Sequence, residues 1–153
     1  MKILVVEDDE NKLDQISEIL RLIPNLSLTS KRSYQSGLRE ILDSRYDLIV
    51  LDMSMPTYDK SSSEPGGRFR KFAGKEILAE IRREKVDARV LLVTGFDTFG
   101  EGATFITLQE MDKKLSVLFP SVYLGSIFYN ASETNWADEL KAYVLTIQET
   151  LHA

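Results

Sequence analysis

Apolar residues fall along this chain in two alternating rhythms. Short runs rich in branched side chains stand at Lys2 to Val6, Leu48 to Leu51, Arg89 to Thr94 and Val122 to Tyr129, with a weaker alternating stretch at Leu26 to Thr29. Such runs are too short for a helix core, and unbroken apolarity is what a strand buried on both faces requires. Between them, apolar residues recur at helical spacing. One set is Leu13, Ile16, Leu20 and Ile23, stopped by Pro24; a second is Tyr34, Leu38, Ile41 and Leu42. A third, Ile77, Leu78 and Ile81, closes on Arg82 and Arg83, whose charge complements the carboxyl end of a helix dipole. A fourth, Met111, Leu115 and Leu118, is opened by Thr107 and Glu110 at capping-box spacing. The last carries Trp136, Leu140, Tyr143, Val144, Ile147 and Leu151, with Trp136 assigned to the core. Two stretches follow neither rhythm and are read as long loops. Residues 57–73 are polar, with Ser61 to Ser63 and Pro65 to Gly67; residues 95–106 carry Gly95, Gly100 and Gly102. In the second loop, Phe96, Phe99 and Phe105 are expected to pack underneath.

Five strand–helix units in strict alternation predict right-handed crossovers and a parallel sheet covered on both faces. The fold class expected is therefore α/β, a flavodoxin-like doubly wound sheet of five parallel strands in the order 2-1-3-4-5, as one domain across residues 1–153. In such a sheet every strand ends on one edge, and ligands collect there. Glu7 and Asp8, Asp52, and Thr94 follow or end the first, third and fourth strands. With the first strand beside the third, three carboxylates meet. Like charges at that separation either take up protons or share a cation, and an all-oxygen donor set suits Mg2+ or Mn2+. Asp9, by contrast, reads as the cap of the helix that follows.

Composition narrows the partners. Of 153 residues 43% are hydrophobic, enough for one substantial core. A net charge of −5 argues against a nucleic-acid or acidic membrane surface as the main partner. The chain has no cysteine, which excludes disulfides, thiolate metal sites and a thiol nucleophile. The start, Met1 to Asp9, turns acidic too soon for a signal peptide, and no stretch has the apolar length of a membrane span. A cytoplasmic location is expected, and His152 is read as a solvated tail residue.

With KILVVEDD, DLIVLDMSMP and LLVTG in this order, the sequence resembles the receiver domain of bacterial two-component response regulators over nearly its whole length. The resemblance implies that Asp52 accepts a phosphoryl group from a histidine kinase or phosphotransfer protein. It implies Mg2+ ligated by Asp8, Asp52 and the Ser54 backbone carbonyl, with Glu7 acting through water, and Thr94 hydrogen-bonded to the phosphoryl oxygens. Output would be a change in protein–protein binding. Two features depart from the pattern. Tyr129 stands where receivers carry a lysine at the end of strand five, and Ser126 replaces the aromatic that precedes it. The 57–73 stretch is also longer than usual, and it holds Lys60, Arg68, Arg70 and Lys71 with Phe69 and Phe72 between them. Arg68 or Arg70 is therefore expected to fold over the phosphoryl group in the missing lysine's place, leaving Tyr129 to offer a hydrogen bond. Two further readings are a pseudo-receiver acting as a constitutive interaction module, and a phosphatase of the haloacid dehalogenase type. The latter requires a second Asp two residues after the nucleophile, where this chain has Ser54.

Overall fold

The computed structural model describes residues 1–100 and 102–152. In chain order the elements are β1 (Lys2–Val6), α1 (Glu10–Arg21), β2 (Ser27–Lys31), α2 (Tyr34–Asp43), β3 (Leu48–Leu51), β4 (Met55–Pro56), β5 (Phe69–Arg70), α3 (Ala73–Arg83), β6 (Val90–Thr94), β7 (Thr98–Phe99), β8 (Ile106–Thr107), α4 (Leu108–Leu118), β9 (Tyr123–Phe128) and α5 (Asn135–Leu151). A five-stranded sheet runs β2-β1-β3-β6-β9, with every pairing parallel. This is the flavodoxin-like order expected from the alternation of strands and helices.

The apolar runs of β1, β3 and β6 are unbroken because each of these strands serves two cores. On one face Leu4, Val6, Ile49, Leu51, Val90 and Leu92 meet Ile41 of α2, Ile77 and Ile81 of α3, and Met111 and Leu115 of α4. On the other, Ile3, Val5, Leu48, Val50, Leu91 and Val93 meet Leu13, Ile16 and Leu20 of α1 and Trp136, Leu140 and Val144 of α5. Successive residues of β3 thus alternate between the two cores, as the period-two pleat requires. Trp136 is buried as expected, and His152 is exposed. Leu42, assigned to the apolar stripe of α2, instead lies largely exposed near its last turn.

Helix ends follow local chemistry. The Asp9 side chain caps α1 by accepting the Lys12 amide at 3.1 Å, and Ser33 caps α2 through the Ser36 amide. The capping box at Thr107 and Glu110 forms with both of its bonds. Thr107→Ala is expected to cost about 1 kcal/mol, measurable as a shift in the urea midpoint; an unchanged midpoint would count against the cap.

Both long loops are more ordered than their composition suggests. Residues 57–68 form the tip of an antiparallel hairpin in which Met55 pairs with Arg70 and Pro56 with Phe69. Inside the hairpin the Thr57 amide donates to the Arg68 carbonyl, Tyr58 to Gly66 and Ser61 to Glu64. Residues 95–106 likewise contain a small hairpin, with Thr98 opposite Thr107 and Phe99 opposite Ile106. Phe99 is buried, but Phe96 and Phe105 are more than half exposed. The expectation that all three pack under the loop therefore fails for two of them, because the hairpin turns only Phe99 inward.

Candidate functional site

The site grows out of strand register. Val6 of β1 pairs with Leu51 of β3, and Leu51 pairs with Leu92 of β6. One step beyond, Glu7, Asp52 and Val93 stand side by side at the carboxyl edge. Val6 and Leu51 face the α2–α4 core, so the pleat turns Glu7 and Asp52 to the opposite face, where α1 lies. Asp8 follows in the loop that leads into α1. Glu7, Asp8 and Asp52 each offer an oxygen, and the three atoms lie within 4.8 Å of one another. Glu7 and Asp52 are buried and Asp8 is half-buried. All three line one pocket together with Ser54, Phe69, Phe96 and Tyr129.

One residue of this pocket does not figure in the sequence reading. Lys12, in the first turn of α1, is buried with its ammonium among the carboxylates. Its Nζ lies 2.6 Å from Glu7 Oε1 and 3.1 Å from Asp52 Oδ2, and donates to the Val93 carbonyl at 2.7 Å. The same atom stands 5.6 Å from the centre of the Tyr129 ring. An ammonium has three N–H donors, and here all three have acceptors. Burial alone would lower the Lys12 pKa, but the Asp52 and Glu7 carboxylates outweigh it and hold the ammonium above its usual range.

The carboxylates respond to the same burial. Glu7 is pushed up to about 7 by loss of solvent, with Asp52 adding to the shift and Lys12 opposing it. Asp8 is raised by burial, against the pull of Lys60. The Asp52 carboxylate is fixed from two sides, since its Oδ1 accepts the Met53 amide at 2.7 Å while Lys12 holds Oδ2.

The remaining expected residues fall in two groups. Ser54 lines the pocket. Thr94 ends β6 fully buried, its Oγ1 accepting the Phe96 amide at 3.2 Å. Tyr129 also lines the pocket, but its hydroxyl donates to Gln15 Oε1 at 2.8 Å and its ring packs edge-on against Trp136 at 5.0 Å. Arg68 and Arg70 do not line it. Arg70 instead reaches Glu76 at 2.6 Å and Thr57 Oγ1 at 3.1 Å, and lies over the Tyr34 ring at 4.2 Å. Arg70, one of the two guanidiniums expected over the phosphoryl group, is thus paired with Glu76 of α3 and the Tyr34 ring of α2. The basic residue of the insert that approaches the acids is Lys60, whose Nζ lies 3.8 Å from Asp8. Among the described residues no helix is long and apolar enough to cross a membrane.

Comparison with known proteins agrees with this geometry. The family model described as the response regulator receiver domain matches residues 3–112. The uncharacterized protein y4jR of Sinorhizobium fredii is 31% identical over 144 residues, which cover 92% of this chain and 95% of that protein. The Detocs response regulatory protein DtcB of Enterobacter cloacae is 25% identical over 145 residues, with the same coverage of 92% and 95%. Among solved structures, the receiver domain of a Francisella response regulator superposes with a TM-score of 0.65 at 20% identity, covering 98% of both chains. The Thermotoga maritima response regulator TrrA, solved with Mg(2+)-BeF, superposes with a TM-score of 0.63 at 24% identity, covering 95% of this chain and 97% of that one. The family match runs from β1 into α4, and so takes in both the acids that follow β1 and the aspartate that follows β3: the chain belongs to the response regulator receiver domain family.

Proposed function

We propose that this chain is a phosphoacceptor receiver of a two-component phosphorelay, acting in the cytoplasm. Asp52 takes a phosphoryl group from a phosphohistidine on a histidine kinase or phosphotransfer protein, and the phosphorylated form changes what the protein binds. The observation that supports this most directly is the cluster of Glu7, Asp8 and Asp52 oxygens within 4.8 Å of one another in a pocket at the sheet edge. In the transfer, an Asp52 carboxylate oxygen attacks phosphorus. A P–O bond forms, the P–N bond breaks, and its electron pair stays with the imidazole nitrogen, which takes up a proton.

The donor set fits a hard divalent cation, because it is all oxygen and carries more negative charge than Lys12 balances. Asp8, Asp52 and the Ser54 carbonyl would hold Mg2+ or Mn2+, with Glu7 behind them. When bound, the ion offsets the repulsion between the carboxylate and the incoming phosphoryl oxygens. The chain's own part is orientation: the Met53 amide holds Asp52 Oδ1 and leaves the carboxylate little freedom to turn. Thr94, at the adjoining strand end, supplies the hydroxyl for a phosphoryl oxygen.

Intact mass after incubation with acetyl phosphate and Mg2+ tests the proposal. Wild type should gain one phosphoryl group, and neither Asp52→Asn nor chelated wild type should gain any. Modification that persists in Asp52→Asn would overturn the assignment. A wild type that accepts nothing would leave a constitutive interaction module.

A further inference from the structure

A receiver that accepts a phosphoryl group needs positive charge beside it, and the residue that follows β9 here is Tyr129 rather than lysine. We infer that Lys12, reaching in from α1, is the counter-charge that pairs with the phosphoryl group on Asp52. The inference rests on the receiver reading above and deepens it. Three observations carry it.

The first is placement. The Lys12 Nζ is 3.1 Å from Asp52 Oδ2, whereas Arg70 is held by Glu76 and the Tyr34 ring, and neither Arg68 nor Arg70 lines the pocket. The second is anchoring. Two of the three donors on the ammonium are held by groups that phosphorylation leaves unchanged, Glu7 Oε1 at 2.6 Å and the Val93 carbonyl at 2.7 Å. The longest of the three contacts is the one to Asp52. Once Asp52 becomes an acyl phosphate its own oxygens lose their charge, and the negative charge moves outward onto the phosphoryl oxygens. The N–H that pointed at the carboxylate then turns to a phosphoryl oxygen while Glu7 and Val93 keep the ammonium in place. The third is the shared cavity. Lys12 and Tyr129 line the same pocket, with Nζ 5.6 Å from the ring centre. Two chain positions, one on α1 and one at the end of β9, thus have access to the same point.

That shared access supplies a test that separates a counter-charge from a buried lysine needed only for folding. Wild type, Lys12→Met and the double variant Lys12→Met/Tyr129→Lys are incubated with acetyl phosphate at saturating Mg2+. The rate of phosphoryl uptake is followed by mass, and affinity for beryllofluoride by Trp136 fluorescence. Thermal melting is recorded in parallel. Lys12→Met should slow uptake at least tenfold and weaken beryllofluoride binding by a similar factor. The double variant should recover most of both, because the charge returns from the β9 side. If Lys12→Met alone does not fold, the double variant decides the matter, and uptake within a few-fold of wild type upholds the inference. Lys12→Met with wild-type uptake and wild-type beryllofluoride affinity overturns it while leaving the receiver reading intact. A folded double variant that stays as slow as Lys12→Met also overturns it. Wild type that takes up no phosphoryl group removes the receiver reading itself, and the inference with it.

Discussion

Gly74→Ala is expected to lower the unfolding free energy by about 3 kcal/mol, at the upper end of what overpacking usually costs, and to impair phosphoryl uptake as well. Gly74 is the second residue of α3, and its amide donates to the Met53 carbonyl at 2.9 Å. A Cβ on Gly74 would lie 2.8 Å from the Asp52 carbonyl oxygen and 3.1 Å from Met53 Cα. Two effects oppose each other. Alanine is the better helix former by roughly 0.5–1 kcal/mol, which favours the variant. The collision disfavours it, and the atoms struck are backbone, which no rotamer change moves aside. The collision therefore wins. Because the displaced peptide is Asp52's own, its carboxylate moves relative to Lys12, and loss of stability and loss of uptake should appear together. Gly95→Ala is the matched control on the same pocket. Its Cβ would have nothing nearer than the Tyr129 carbonyl oxygen at 3.8 Å and ring carbon at 3.9 Å, so it should be nearly neutral. Urea unfolding of both variants reads the difference. A midpoint for Gly74→Ala at or above wild type would show that α3 can shift away from the Asp52 loop at little cost.

The centre of the sheet was legible in the sequence because β1, β3 and β6 pack against both cores, and burial on two faces leaves an apolar run without gaps. The acidic site was legible for a related reason. Glu7 and Asp52 directly follow the last buried residues of neighbouring strands, so register alone brings them together. The small hairpins were not legible, since two-residue strands such as β4 and β7 are too short to show any period. Their pairing comes from the chain folding back on itself, as in the Thr57 amide bond to the Arg68 carbonyl. Lys12 is hidden in the sequence for a different reason, although its spacing carries a signal. Lys12, Ile16 and Leu20 lie four residues apart on α1, so a lysine continues the buried row of the helix toward the end where the acids gather. Charge in an amphipathic helix is usually assigned to the solvated face, and that habit hides a lysine whose partners belong to other strands. The insert holds the more conspicuous cations, Lys60, Arg68, Arg70 and Lys71. There Arg70 had a nearer partner, Glu76 in the first turn of α3, and an aromatic face in Tyr34.

Asp8→Asn is expected to weaken Mg2+ binding roughly tenfold or more, equivalent to ~1.4 kcal/mol or above, while raising the melting temperature of the metal-free protein. Both directions follow from how unevenly Lys12 distributes its charge. Glu7 and Asp52 each have the ammonium within 3.1 Å. Among the described residues Asp8 forms its ion pair only with the largely exposed Lys60, at 3.8 Å, and an exposed pair of that kind contributes little. Asp8 is thus the carboxylate whose charge is least compensated by a neighbouring cation. An incoming divalent ion gains most from it, and without the ion Asp8 contributes most of the unrelieved repulsion. Glu7→Gln should behave in the opposite way. It replaces the charged 2.6 Å partner of a buried ammonium by a neutral acceptor, which should cost about 1.5–3 kcal/mol of stability, yet it should change Mg2+ affinity less than Asp8→Asn does. Calorimetric Mg2+ titration and metal-free melting of the two variants check both halves. Equal Mg2+ affinity in Asp8→Asn and wild type would remove Asp8 from the metal site. A Glu7→Gln protein as stable as wild type would show that Lys12 needs an acceptor at this position but not its charge.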